Sequence, residues 1–420
     1  MPRRDLRRGG QVNAIRVRDR VVELRRVRAG DLVESPRNWR LHPKRQRQAL
    51  QAVLSEVGFA DAILARQRDD GALEIVDGHL RRSIDPDLVV PVLVLDVDEA
   101  EADKLLATLD PLASLAVADP EPLAALLASI ETRSEELRRL FADLAAGAGV
   151  QPTSGLTDPE EIPPPPATPA SRRGDLFVLG EHRLACGDCR DPQVVSRLMG
   201  AEEASLLLTD PPYGVAYQGK TKAKLRLSND DAGGIPDLLA GAFAAVDPAL
   251  RSGAAIYLFH PGGPNALAFL SALAERWSLR QMLVWRKDSM VVGHADYHYA
   301  HEPIAYGSKQ ADRRRGRGAW GWYGGNAETT VLEVPRPRAS PEHPTAKPVA
   351  LIARLVANSA ALGDVVLDPF LGSGSTLIAC EQHRRRCYGI EIDPTYVDVA
   401  VARWERFTGR RARRRRTHGR

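Results

Sequence analysis

Residues 365–376 read VVLDPFLGSGST: the apolar run Val365, Val366 and Leu367 closes on Asp368, and Gly372 and Gly374 then lead into the helical stretch 377–382. A short apolar run that ends in a small-residue turn and passes into a helix predicts a buried parallel strand whose turn lets the backbone approach a ligand closely. About 20 residues further on, the run 387–392 presents Glu391 and Asp393, the spacing that puts a carboxylate on ribose hydroxyls. That geometry predicts an adenosine site. Asp368 in the turn separates it from a dinucleotide fingerprint, because an acid there repels a pyrophosphate but attracts an ammonium or a sulfonium.

Upstream, further apolar runs at 205–209, 254–259, 281–285 and 303–306 alternate with helical stretches. Buried runs separated by helices predict an α/β, Rossmann-like fold: a mixed, mostly parallel sheet with helices on both faces and ligands at the carboxyl ends of its strands. The run 206–209 enters Asp210-Pro211-Pro212-Tyr213-Gly214, a turn stiffened by adjacent prolines. An aromatic amine is a poor nucleophile because its lone pair is delocalised into the ring. Two fixed acceptors, the Asp210 carboxylate and the Pro211 carbonyl, would bind both N–H groups and favour a pyramidal nitrogen, while Tyr213 would stack on the base. Just before the first-quoted stretch, His343-Pro344-Thr345-Ala346-Lys347-Pro348 opens a helix whose free amides, with Thr345 and Lys347, suit a carboxylate.

Together these stretches resemble the amino-group DNA methyltransferases. DPFLGSGST followed by GIEIDPTY is similar to their cofactor motif, HPTAKP to their HPTxKP motif, and DPPY to their catalytic motif, letter for letter. The resemblance implies S-adenosylmethionine as cofactor. It places the methionine end among Asp368, Pro369, Phe370, Gly372, Gly374 and Thr376, the ribose at Glu391 beside Asp393, and the methionine carboxylate at Thr345 and Lys347. FVLGEHRLACGD resembles the stretch whose acid contacts the adenosine, here Asp188. Catalytic turn first and cofactor turn last is the permuted β arrangement, which implies a recognition region within about 215–340. Arg313, Arg314, Arg315 and Arg317 interleave there with Trp320, Trp322 and Tyr323, a mixture suited to gripping phosphate and wedging at bases. Asp at the first position of DPPY favours adenine N6 over cytosine N4, and the amine edge is reached only after the base leaves the duplex. A cytosine N4 or RNA amine is the alternative within the class. A DNA-binding protein with an inactive methyltransferase half is the alternative outside it.

In the first half, Glu74-Ile75-Val76-Asp77-Gly78-His79-Leu80-Arg81-Arg82, followed by the apolar run 90–95, resembles the ParB/sulfiredoxin-like domain. Gly78, His79, Arg81 and Arg82 at a strand-to-helix turn suit a phosphate. No cysteine lies in this half, so sulfinic acid reduction is not expected. A DNA-docking or nucleotide-binding accessory role is the expectation.

The 420 residues carry a net charge of only +4, but arginines cluster at 1–28, 313–317 and 410–420, and local potential is what attracts a polyanion. Residues 149–173 are rich in proline and poor in large apolar residues, which predicts a semi-stiff spacer that does not pack. The expected division is therefore a basic, flexible arm at 1–28, a ParB-like domain closed by helices at 29–148, the linker 149–173, the methyltransferase domain 174–408 and an arginine-rich tail 409–420. Cys186 and Cys189 spell CxxC, but no second pair follows at ligand spacing, so no metal is expected. Four cysteines suit a reducing compartment, and no apolar run reaches bilayer length, which points to the cytoplasm. Double-stranded DNA with a flipped base is the expected partner, with a homodimer left open.

Overall fold

A computed structural model describes residues 18–213, 234–291, 296–309, 321–325, 327–336 and 346–415. The chain divides into two compact units, Met1–Val117 and Ala118–Arg420.

In the first unit, β1 (Val21–Arg28), β2 (Ile63–Gln67), β3 (Leu73–Asp77) and β4 (Val89–Leu95) form one sheet in the order β1-β4-β2-β3. Helices α1 (Lys44–Glu56), α2 (His79–Arg82) and α3 (Glu99–Ser114) accompany it. Asp98 and Glu101 start α3 with a reciprocal capping box, which satisfies two of its orphan amides. The core is the apolar set Ile63, Ala65, Ile75, Val90, Val92 and Val94. Strand β1 corrects the expectation of a flexible arm as far as residue 28. It pairs antiparallel with β4 at the sheet edge and is largely exposed, so its arginines meet water and its sequence shows no buried alternation.

The second unit carries a ten-stranded sheet. Its strands are β5 (Leu176–Leu179), β6 (His182–Cys186), β7 (Ala204–Thr209), β8 (Leu250–Phe259), β9 (Ser278–Val291), β10 (Tyr299–Ser308), β11 (Val331–Glu333), β12 (Val365–Asp368), β13 (Arg386–Glu391) and β14 (Arg413–Arg415). They lie in the order β11-β9-β10-β8-β7-β12-β13-β6-β5-β14. The centre, β8-β7-β12-β13-β6, is parallel, and antiparallel pairs flank it on both sides. Successive residues of β7 point to opposite faces, Leu206 and Leu208 into one apolar cluster and Leu207 into the other. The first cluster is closed by α9 (Val349–Ser359), α10 (Ser375–Gln382) and α11 (Pro394–Thr408), the second by α6 (Pro192–Met199), α7 (Ile235–Val246) and α8 (Ala266–Arg276). This is the expected Rossmann-like architecture.

Three expectations about its borders are corrected. Helices α4 (Pro120–Ser129) and α5 (Glu135–Gly147) belong to the second unit, not to the first. Glu121 pairs with Arg384 at 2.6 Å, and Glu135 of α5 joins Arg138, Arg251 and Asp364 in a buried charge cluster. The proline-rich stretch 149–173 does pack, through main-chain bonds instead of apolar side chains. Thr153 N donates to Gln382 O at 2.7 Å, Leu156 N to Phe407 O at 2.8 Å, and Ser171 N to Asp398 at 3.2 Å. Gly155 runs so close to the Phe407 ring that a Cβ would meet it at 2.1 Å. Finally, Arg413–Arg415 of the tail is strand β14, paired antiparallel with β5.

Candidate active site

Chain direction at the sheet centre creates the site. From β7 the chain crosses by α7 to β8 on one side, whereas from β12 it crosses by α10 to β13 on the other. The crevice outside the carboxyl ends of β7 and β12 is therefore a topological switch point, where open α/β sheets bind ligands. The register Leu206↔Val366 and Leu207↔Leu367 brings the two quoted turns side by side: Asp210 follows β7, and Asp368 ends β12.

Asp210 is enclosed by charge. Lys347 Nζ lies 2.6 Å from its Oδ2, and the Tyr213 hydroxyl donates to its Oδ1 at 3.0 Å. The same Lys347 contacts Glu302 Oε1 at 2.9 Å, and Lys287 Nζ lies 3.0 Å from Glu302 Oε2. The Tyr213 hydroxyl also donates to Glu302. Burial pushes the Asp210 carboxyl above its usual range, and Glu302 adds to this while Lys347 opposes it. Burial acts on Glu302 in the same sense, but its two lysines outweigh it and hold this carboxyl at about 2. Lys347, expected to await a methionine carboxylate, is turned to Asp210 and Glu302, whose charges keep it protonated despite burial. The Tyr213 ring meets Phe269 edge-on at 5.9 Å, with Lys347 Nζ 5.3 Å from its centroid.

The cofactor turn is held by its own acids. Asp368 accepts from the Thr376 hydroxyl at 2.6 Å and from Phe370 N at 3.1 Å. Glu391 accepts from Gly372 N at 2.9 Å and Asp393 N at 2.8 Å. Burial raises both carboxyls to about 7, and neither has a cationic side chain in contact among the described residues. Gly372 adopts φ 54 with open space where its Cβ would stand, and Gly374, at φ 87, begins α10. Two buried acids beside an open glycine cradle fit a ligand with positive charge and hydroxyl groups. Gly187 N donates to Glu391 O at 2.9 Å, which brings the Asp188 turn next to Glu391, although Asp188 itself is paired with Arg190 at 2.6 Å. Asp393 caps α11 through Thr395 N at 2.8 Å.

Other expected residues fall elsewhere. Arg313, Arg314, Arg315, Arg317, Trp320 and Thr345 lie outside the described residues. Tyr323 is a correction: its hydroxyl joins Glu135 and Arg251 near Asp364, where β12 begins, at the opposite end of the sheet strands from the catalytic turn. Half-buried Trp322 precedes it, and the would-be Cβ of Gly324 lies 2.7 Å from the Trp322 ring. In the first unit, Arg81 pairs with Asp61 and Arg82 with Glu34, so both cations expected to meet phosphate already have acid partners. His79 is buried next to Gly78, accepting from Ser35 N, and burial lowers its pKa.

Sequence reasoning missed Glu302 and Lys287. Both sit in β-strands where no local pattern marks an acid or a lysine as functional. It also missed Glu160, which accepts from Val349 N at the start of α9 at 2.7 Å, and Arg403, which is 2% exposed.

A family model described as DNA methylase of the N6/N4 type matches residues 204–402, a segment that contains both turns. Over that segment the chain is similar to the N6/N4 DNA methylases. Relatives of the methylase segment include the type II methyltransferase M.Cfr9I of Citrobacter freundii, 33% identical over 161 residues. Another is M.HpaI of Haemophilus parainfluenzae, 44% identical over 61 residues. The first match covers 34% of this chain and 49% of the relative, the second 14% and 19%, so the chain spans half or less of these relatives. Similar solved structures include the M1.HpyAVI-SAM complex, with TM-score 0.39, 20% identity, and 52% of this chain and 98% of that one covered. PvuII DNA methyltransferase (cytosine-N4-specific) has TM-score 0.40 and 15% identity, covering 58% and 90%. No helix among the described residues is long and apolar enough to cross a membrane.

Proposed function

We propose that the chain transfers a methyl group from S-adenosylmethionine to an exocyclic amine of a base flipped out of double-stranded DNA, adenine N6 in the first instance. The observation that carries this reading is the adjacency of Asp210 and Asp368 at the ends of neighbouring parallel strands. The similarity of residues 204–402 to the N6/N4 DNA methylases supports it.

Asp368 and Glu391 would hold the cofactor, Asp368 facing its cationic methionine end and Glu391 its ribose hydroxyls, with Gly372 and Gly374 admitting it to the backbone. Bound there, S-adenosylmethionine supplies an electrophilic methyl carried by sulfonium. Asp210 would accept one amine N–H and the Pro211 carbonyl the other, fixing the nitrogen lone pair toward that methyl. For this, Lys347 must yield one lone pair of Asp210 to the base or move toward Glu302, which is already within its reach. Transfer would break the methyl–sulfur bond and leave a neutral thioether while the amine nitrogen became cationic, and Asp210, holding that nitrogen, would be placed to take its extra proton. The first unit is assigned an accessory role on DNA, on the ParB-like resemblance of residues 74–96.

The test is to incubate the full chain with double-stranded DNA and methyl-labelled S-adenosylmethionine, then digest to nucleosides. Label in N6-methyladenine is the expected result. Label in N4-methylcytosine, or on RNA alone, overturns the adenine assignment, and DNA binding without label overturns the enzyme.

A further inference from the structure

Glu302 touches neither base nor cofactor in the roles assigned so far, yet it contacts both Tyr213 and Lys347, the side chains that meet Asp210. It lies on β10, which continues past the last residue of β8: Ile304 pairs with Phe259, so Glu302 stands two residues beyond that edge, at the mouth of the crevice. Its carboxylate is 13% exposed and receives three donors from three segments: the Tyr213 hydroxyl from the catalytic turn, Lys347 Nζ at 2.9 Å from the start of α9, and Lys287 Nζ at 3.0 Å from β9. Two of those three, Tyr213 and Lys347, also touch Asp210.

We infer that Glu302 is a positioning residue of the methyl-transfer site, holding Tyr213 and Lys347 where they orient the Asp210 carboxylate while drawing enough of the lysine's charge to leave Asp210 a good acceptor. The inference rests on the methyltransferase reading. Without Glu302, Lys347 would have Asp210 as its only carboxylate among these contacts, and the pair would close on the oxygen that the base amine needs. Tyr213 would lose the second acceptor that fixes its ring. Among the described residues, the charged and titratable groups around Asp210 are Lys347, Glu302 and Tyr213, with Asp368 near enough to feel its charge, and behind Glu302 stand Lys287 and His260. Of these, Glu302 supplies the negative charge that works against Lys347 at Asp210.

Turnover fails as pH falls and Asp210 gains a proton, so the acid limb of the kcat profile tracks its pKa. Glu302→Gln removes a neighbouring negative charge and lowers that pKa, moving the limb down. Lys287→Met removes a positive charge and moves it up.

The experiment measures labelled methyl transfer to double-stranded DNA by the full chain across pH 5 to 9, with S-adenosylmethionine affinity by calorimetry. Glu302→Gln is expected to lower kcat by about tenfold or more, with the KM for DNA and the cofactor affinity nearly unchanged, and to move the acid limb down by about one unit. Glu302→Asp, which keeps the charge, is expected to keep the wild-type limb and recover part of kcat. If Glu302→Gln binds no cofactor through misfolding, the opposite shift of Lys287→Met decides. Variants with wild-type pH profiles, beside an active wild type, overturn the inference alone. A wild-type chain that binds cofactor but methylates no DNA overturns the reading beneath it and the inference together.

Discussion

Lys347 Nζ stands 2.6 Å from Asp210 Oδ2, joining two segments 137 residues apart in one buried ion pair. Replacing either partner should have different consequences, because Lys347 has a second carboxylate and Asp210 has no second ammonium in contact among the described residues. Asp210→Asn leaves Lys347 paired with Glu302. Methyl transfer should fall by about 10²–10³-fold, the scale for losing one preorganised group at the reacting atom, with cofactor binding retained. Lys347→Met strands Asp210 with a buried charge and should destabilise the second unit by about 3 kcal/mol. Thermal melts and filter-bound label separate the two, and turnover by Asp210→Asn at the wild-type rate would remove Asp210 from the mechanism.

The acids of the cofactor turn make binding a proton-linked event. Asp368 and Glu391 are raised by burial to about 7 from ordinary values of 3.8 and 4.5. Their contribution to stability is fully present below the unfolded values, near 4, and is lost as pH rises through about 7. The ligand-free second unit should therefore melt lower at pH 8 than at pH 6, as far as these groups decide. A cationic cofactor favours their ionised forms, so S-adenosylmethionine should bind more tightly as pH rises toward 8 and should release protons at pH 6. Calorimetry in two buffers of different ionisation heat reads that release. Affinity flat from pH 5.5 to 8 would show that neither carboxyl meets the cofactor's charge.

What the sequence disclosed and what it hid divide along one physical line. Asp210, Asp368 and Glu391 each close an apolar run of local sequence, so both the strand and the acid at its end could be read from a few neighbouring residues. Glu302 and Arg403 act through partners distant in sequence, such as Tyr213, 89 residues from Glu302, and Ser373, 30 residues from Arg403, and nothing near them in the chain signals those contacts. Strand β1 was hidden because an exposed edge needs no apolar alternation, and the proline-rich stretch because main-chain hydrogen bonds leave no mark in composition. Tyr323 misled in the other direction: an aromatic beside arginines resembles a base-contacting loop, yet its hydroxyl completes a buried charge cluster.

Arg403 couples the proline-rich stretch to the cofactor turn. One guanidinium nitrogen donates to Ser373 O at 3.1 Å and the other to Pro159 O at 2.7 Å, and burial lowers its pKa to about 10. Methionine would fill the space but leave both carbonyls without this donor. Arg403→Met should cost about 2 kcal/mol in urea unfolding and expose residues 150–165 to limited proteolysis. Unchanged cleavage would mean that the bonds from Thr153 and Leu156 hold the stretch without Arg403.

The boundary between the units is open to a truncation test. A chain beginning at residue 118 keeps α4 and α5, whereas one beginning at 149 loses Glu121 and Glu135 and leaves Arg384 and Arg251 without those partners. Arg251 is only 12% exposed and would retain Asp364 at 3.5 Å, so the loss is a weakened buried cluster rather than a lone charge. Gly363, whose Cβ would lie 2.7 Å from Ala128 O, would also be uncovered. The 118–420 fragment should melt close to the full chain's second transition and bind S-adenosylmethionine. The 149–420 fragment should melt about 5–10 °C lower, which corresponds to a few kcal/mol for a unit of this size. Equal melting of the two fragments would return α4 and α5 to the first half of the chain, as the sequence alone suggests.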